Sequence, residues 1–216
     1  MALSFGMTHP HAQRLAERIC DAGRQLNEHG LIAGLAGNVS VRLDDAHLLI
    51  TPRGANKGKL RPEDMVALPL QGGDPADSAR ASTEVPFHLA CYLATDDVGA
   101  VVHTHAPALT AVGARDLDIA ATLPEITLAV GPIARVEFSP SGSDELGASV
   151  GAAVAEGSAV LLLKNHGAVS VGRDLDDAVN RMELAELAAY TVLLSQDQID
   201  DLDLGRIIKL RSHLEG

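Results

Sequence analysis

The sequence predicts an α/β fold: a three-layer α/β/α arrangement around a mixed, largely antiparallel central sheet. Three observations predict it. Short apolar strand patterns alternate with amphipathic helical ones along the whole chain. Several strands follow one another through tight Asp, Gly or Asn turns, as antiparallel pairs do. No repeat and no long linker divides the chain, so its 216 residues are read as one domain, 1–216. Residues 1–10 read as a flexible N-terminus and 197–216 as a C-terminal tail.

The elements follow in order. Ala12, Leu15, Ala16, Ile19, Gly23 and Leu26 share one helical face, and Gly30 ends that helix. A glycine-rich turn, 34–38, leads into the alternating strand Val39–Leu43. Asp44-Asp45 turns it back into His47–Thr51, a hairpin. Met65–Leu68 is a short strand, and 71–81 reads as an exposed loop. A helix is expected over Thr83–Ala94, with Ser82 or Thr83 as N-cap and Pro86 in its first turn. Val98–His103 is a strongly apolar strand, and a helix starts at Pro107. Ile126–Val130 and Ile133–Phe138 are read as strands, and Asp144–Ala155 as a helix closed by Gly157. Ala159–Leu163 and Ala168–Val171 are strands joined by a tight Asn165-His166-Gly167 turn. Asp174 caps a long helix to about Gln196.

Composition excludes several functions. The net charge of −12 repels phosphate backbones and anionic lipid, and no Lys/Arg cluster opposes it, so neither nucleic acid nor membrane is expected as a partner. Only 2% of residues are aromatic, too few for a base-stacking platform. No run approaches the ~20 apolar residues of a membrane helix, and Met1–Pro10 lacks the pattern of a signal peptide. Cys20 and Cys91 make no disulfide framework and fit a reducing, cytoplasmic setting.

Most of the nine histidines are ordinary. His9 and His11 sit in the terminus, read as exposed and disordered. His29 and His47 lie at element edges, and His213 is near the C-terminus. His103-Thr104-His105 differs, because it closes a buried strand and period two puts both imidazoles on one face. Taken alone, the pair reads equally well as two hydrogen-bonded core histidines. His166 shifts the balance, since it too ends an apolar strand. Three neutral imidazoles with one open position are the usual form of a catalytic zinc, and Mn2+ or Co2+ would suit the same donors. Glu84 lies at the start of a helix, where the macrodipole favours a carboxylate; alone it reads as a solvated cap. His88, one turn later, either orients Glu84 or packs in the core. Ser82 and Thr83 fit a helix N-terminus that receives an anion.

Five segments in this order resemble the class II aldolase/adducin family: 37–42 (GNVSVR), 50–54 (ITPRG), 82–84 (STE), 102–106 (VHTHA) and 164–167 (KNHG). The resemblance runs from about residue 12 to 195. It implies that His103, His105 and His166 bind one divalent metal per subunit. Glu84 would be a fourth ligand at rest and the general base once substrate displaces it. Gly37, Asn38, Gly54, Ser82 and Thr83 would line a phosphate pocket. Arg53 stands where the family usually has a small hydroxyl residue, and would either pair with a phosphate or a carboxylate or point to solvent. It also implies a homotetramer with active sites between subunits, acting on a small anionic carbohydrate.

The function expected from the resemblance is a metal-dependent aldolase, a lyase cleaving a C–C bond in a small phosphorylated ketose through an enediolate. A decarboxylase of a sugar-derived hydroxy or keto acid ranks second, and a pentulose-phosphate 4-epimerase third. Outside the family, a structural zinc protein remains. The tyrosine proton donors of the family's aldolases have no counterpart, because Tyr92 and Tyr190 fall inside helices. Glu125, Arg211 and His213 are candidate donors by location only.

Overall fold

The computed structural model describes residues 10–72, 77–115, 117, 119 and 124–195. Seven strands form one sheet in the order β3-β2-β1-β4-β7-β6-β5. These are β1 (Asn38–Arg42), β2 (His47–Ile50), β3 (Val66–Pro69), β4 (Ala100–Thr104), β5 (Ile133–Val136), β6 (Val160–Leu163) and β7 (Gly167–Gly172). Every pairing is antiparallel except β5 with β6. The mixed, largely antiparallel sheet is therefore as the sequence predicts.

Among the described residues the α-helices are α1 (Pro10–Glu28), α2 (Val85–Ala94), α3 (Pro107–Arg115), α4 (Pro124–Val130), α5 (Asp144–Ala155) and α6 (Leu175–Leu194). They divide between the two faces of the sheet, because strand side chains alternate in direction. Val39, Val41, Ala100, Val102, Val160 and Leu162 meet α1, α3, α4 and α6 in one core. Leu48, Ile50, Val101, Leu161, Leu163 and Val169 meet α2 and α5 in the other. This is the three-layer arrangement.

Three expectations are corrected. Residues 126–130 belong to helix α4, not a strand; a short apolar run carries no period that separates the two, and Ile126 and Val130 are both buried against the α6 side. Helix α2 starts at Val85, with Glu84 itself at the N-cap position and no side-chain cap. Pro10 and His11 already belong to α1, so the helix begins inside the stretch read as flexible. Conversely, α6 carries its predicted cap, the Asp174 side chain accepting from Asp177 N.

Two glycines let the central strands approach. Gly37 has a φ of +70°, and a Cβ there would lie 2.7 Å from the His103 carbonyl oxygen. At Gly167 a Cβ would drive into the Thr104 carbonyl and crowd the His103 and His105 rings. Leu161 is fully buried between β7 and the α2–α5 layer. Leu161→Ala is expected to cost about 2–5 kcal/mol, measured by urea denaturation. A loss below about 1 kcal/mol would show that this face is loosely packed.

Candidate active site

The site lies at one end of the sheet, where β4 and β6 finish and β1 and β7 begin. Asn38 is the register partner of His103 across β1 and β4, so both side chains leave the same face, toward α2. His103 is fully buried, and its Nδ1 donates to the Ala168 carbonyl of β7 at 2.9 Å. A carbonyl only accepts, so Nδ1 carries the hydrogen and Nε2 points into the site. His105 follows β4 and stays exposed, with its Nε2 3.1 Å from that of His103. His166 is half-buried in the β6–β7 turn, made possible by Asn165 in the left-handed conformation (φ 54°). One ligand atom from each of the three histidines lies within 4.8 Å of the others.

Glu84 completes the cluster. Because α2 starts one residue later, this carboxylate is turned inward and is only 5% exposed. Oε2 lies 3.1 Å from His103 Nε2, and Oε1 lies 3.1 Å from His166 Nε2. Asn38 Nδ2 donates to Oε2 at 2.7 Å, and Ser141 Oγ donates to Oε1 at 2.7 Å. Burial pushes the Glu84 carboxyl up, but the hydrogen bonds that His103 and His166 donate when protonated, together with that from Asn38, outweigh it and hold it well below the usual carboxylate range. Burial, then the charges of His103 and His166, bring His105 down to about 4.

The donor set fits a metal. Neutral imidazole Nε2 atoms and carboxylate oxygens are all acceptors, so at these distances they repel unless positive charge sits between them. That charge is either a proton on an imidazole or a cation. Two ligands on one zinc at about 2.0–2.1 Å in tetrahedral directions lie about 3.3 Å apart, near the 3.1 Å between His103 and His105. His103 is also backed by a carbonyl, the usual outer partner of a ligating histidine.

Behind Glu84 runs a buried chain of hydrogen bonds. Tyr92 OH lies 2.8 Å from Ser40 Oγ, Ser40 Oγ lies 2.7 Å from His88 Nδ1, and His88 Nε2 bonds Asn38 Oδ1. Since Asn38 Nδ2 faces Glu84, its Oδ1 must accept from His88 Nε2–H. His88 Nδ1 then accepts from Ser40, whose oxygen accepts from Tyr92. These directions hold with neutral His88, and burial and the charge of His103 bring its pKa down to about 3.

A cleft of about 130 Å³ opens beside the cluster. It is lined by Gly37, Asn38, Arg53, Gly54, Ser82, Thr83, Glu84, His105 and His166, and by Lys57 and Ser141. The structure thus brings together every site residue expected from the sequence, with two adjustments. The Asn38 side chain is taken up by Glu84 and His88, and Ser82 Oγ accepts from Glu84 N at 3.2 Å. Sequence reasoning missed Lys57 and Ser141; neither lies in a segment with a chemical pattern. His29 and His47 pair with Glu183 and Asp44 away from the site. His11 is exposed on α1. The proposed donors Arg211 and His213, the Glu125 side chain, and His9 lie outside the described residues.

Residues 17–193 match the model of the class II aldolase and adducin N-terminal domain family. The chain belongs to the class II aldolase/adducin family. It is 37% identical over 161 residues to an L-fuculose phosphate aldolase of Methanococcus maripaludis, covering 74% of this chain and 86% of that relative. It is 35% identical over 191 residues to a 3-oxo-tetronate 4-phosphate decarboxylase of Haemophilus influenzae, covering 84% and 88%. The crystal structure of YgbL from Klebsiella pneumoniae, named as an aldolase/epimerase/decarboxylase, superposes with a TM-score of 0.84 at 32% identity, over 92% of this chain and 98% of that one. These relatives are class II aldolase-type enzymes, and this family member is an enzyme of that type. Among the described residues no helix is long and apolar enough to cross a membrane.

The buried histidine gives a pH dependence. An unfolded chain protonates His88 near pH 6.5, whereas the folded chain resists until about pH 3. Its contribution is therefore whole above pH 6.5 and is lost as the pH falls from there toward about 3. His88→Gln, which does not titrate, is expected to flatten the fall in melting temperature between neutral and mildly acid pH. Parallel curves for the two proteins would disprove it.

Proposed function

We propose that this protein is a zinc-dependent aldolase that cleaves a C–C bond in a small phosphorylated ketose. The observation that supports it most is the buried Glu84 carboxylate converging with His103 and His166 at the edge of a cleft. In this reading His103, His105 and His166 hold the metal, with Glu84 as a displaceable fourth ligand. Mn2+ or Co2+ would serve the same donors. The metal supplies Lewis acidity to the carbonyl and the neighbouring hydroxyl of the substrate. In cleavage the hydroxyl on the departing carbon loses its proton and becomes the aldehyde. A proton then passes through Glu84, freed by the substrate, to the enediolate carbon, and in the reverse condensation Glu84 would take it from there; Asn38 and Ser141 keep its oxygens aimed. Gly37, Arg53, Gly54, Ser82 and Thr83 receive the phosphate. The cleft holds about four water volumes, which suits a short-chain substrate.

A decarboxylase is the second reading. It is favoured by Arg53, whose guanidinium suits a carboxylate, and by the similarity to a relative named 3-oxo-tetronate 4-phosphate decarboxylase. Both reactions leave an enediolate-type carbanion that the same metal and base would handle. The two buried, free cysteines fit a reducing, cytoplasmic setting. Sedimentation velocity tests the homotetramer.

Elemental analysis is expected to find one divalent ion per chain, lost in His103→Ala and in His166→Ala. Metal retained at full stoichiometry in both variants would remove the site. Glu84→Gln is expected to keep much of the metal while turnover falls by about 10²-fold or more; unchanged turnover would exclude Glu84 as base. A screen of ketose phosphates and keto-acid phosphates, scored for aldehyde against carbon dioxide release, separates the two reactions. Carbon dioxide without aldehyde would replace the first reading by the second.

A further inference from the structure

Among the described residues the buried Lys57 forms no ion pair. It opens the 3-10 turn Lys57–Lys59, with Asn56 Oδ1 accepting from Gly58 N. That turn packs tightly on α1: a Cβ on Gly23 would lie 2.5 Å from the Lys57 carbonyl oxygen, and one on Gly58 would lie 2.8 Å from Asn27 Oδ1. With its backbone held from behind, the side chain runs forward between the loops around residues 35 and 55. Nζ donates to the Leu35 carbonyl at 2.7 Å and to the Ala55 carbonyl at 2.9 Å. Both acceptors are neutral. An ammonium has three N–H donors, and among the described residues no carboxylate lies within ion-pair distance of this one.

The residue is 3% exposed, yet it borders the cleft. Lysine is almost never buried to this degree without a partner of opposite charge. Cross-linking two loop carbonyls does not explain it, because a neutral amide would do so without the cost of desolvating a charge. Burial pushes the ammonium's pKa down, and Glu84, acting from beyond hydrogen-bond range, only partly opposes this. An anion entering the cleft would supply the missing charge. Arg53, by contrast, is exposed at the rim, where water screens it.

We propose that Lys57 is the principal cation for the substrate's phosphate, receiving that group from the floor of the cleft with the N–H that the loop carbonyls leave free. Arg53, exposed at the rim, then adds a second, solvent-screened charge for the same group. This rests on the reading that the cleft takes a phosphorylated substrate, but it is testable without turnover.

Isothermal titration of the full-length, metal-loaded protein with inorganic phosphate provides the test. Lys57→Met removes the charge and both loop contacts. Lys57→Gln removes the charge but keeps N–H donors for those carbonyls, and Lys57→Arg keeps the charge. Phosphate affinity is expected to fall by about tenfold or more in the Met and Gln variants and by much less in Lys57→Arg, with metal content unchanged. In an active preparation the loss should fall on KM more than on kcat. Unaltered phosphate affinity in folded Lys57→Gln would overturn the proposal and leave Lys57 as a loop pin. So would an absence of phosphate binding to the unaltered protein at millimolar concentration. If phosphate binding depends on Lys57 while no phosphorylated ketose or keto acid turns over, the aldolase and decarboxylase readings fail and the phosphate site stands.

Discussion

The site is organised by the mutual repulsion of acceptors. Three imidazole nitrogens and two carboxylate oxygens converge at the end of the sheet, with His103 and Glu84 nearly out of reach of solvent. Such a group is stable only with positive charge at its centre. Much of the surrounding structure serves to hold these atoms there. The Ala168 carbonyl sets the His103 tautomer, and the Asn38 amide and Ser141 hydroxyl each hold one Glu84 oxygen. Gly37 and Gly167 let β1 and β7 close on β4 without a side chain in the way.

Pairing register does the rest. Asn38 stands opposite His103, and Ser40 opposite Val101, so residues of one parity on two strands face α2 together. From there Ser40, His88 and Tyr92 extend the polar network into an otherwise apolar layer. Every member has a partner, as a network in a low-dielectric interior requires. Burial raises the Tyr92 phenol's pKa and lowers that of His88, so both remain neutral and the directions of the hydrogen bonds are fixed.

The fold was legible in the sequence where a period was long or a cap was chemical. Helix α6 carries its Asp174 cap and α1 its apolar face, and each lies where the pattern puts it. Residues 126–130 were not legible, since a short apolar run next to a proline serves a buried strand or a buried helix equally well. The three histidines were readable because strand ends and a tight turn are local features. Lys57 and Ser141 were not, because they reach the cleft only through long-range packing, of a 3-10 turn on α1 and of the loop before α5. The start of α2 depends on tertiary structure in the same way. Ser82 and Thr83 are good caps, but Glu84 takes the cap position and gives its side chain to the histidines.

The histidine cluster and the cleft wall differ in kind. The histidines and Asn38 belong to, or directly adjoin, central strands paired on both sides. The rest of the wall is loop: 35–37, 52–57, 82–83 and the turn at Ser141. Loops tolerate substitution and changes of length far better than paired strands do. The shape of the cleft can therefore change without disturbing the groups that converge at the end of the sheet. Relatives of similar identity to this chain carry different reaction names, one an aldolase and one a decarboxylase. In this plan paired strands hold the converging groups in place, and the loops at the rim are where the shape of the cleft is free to change.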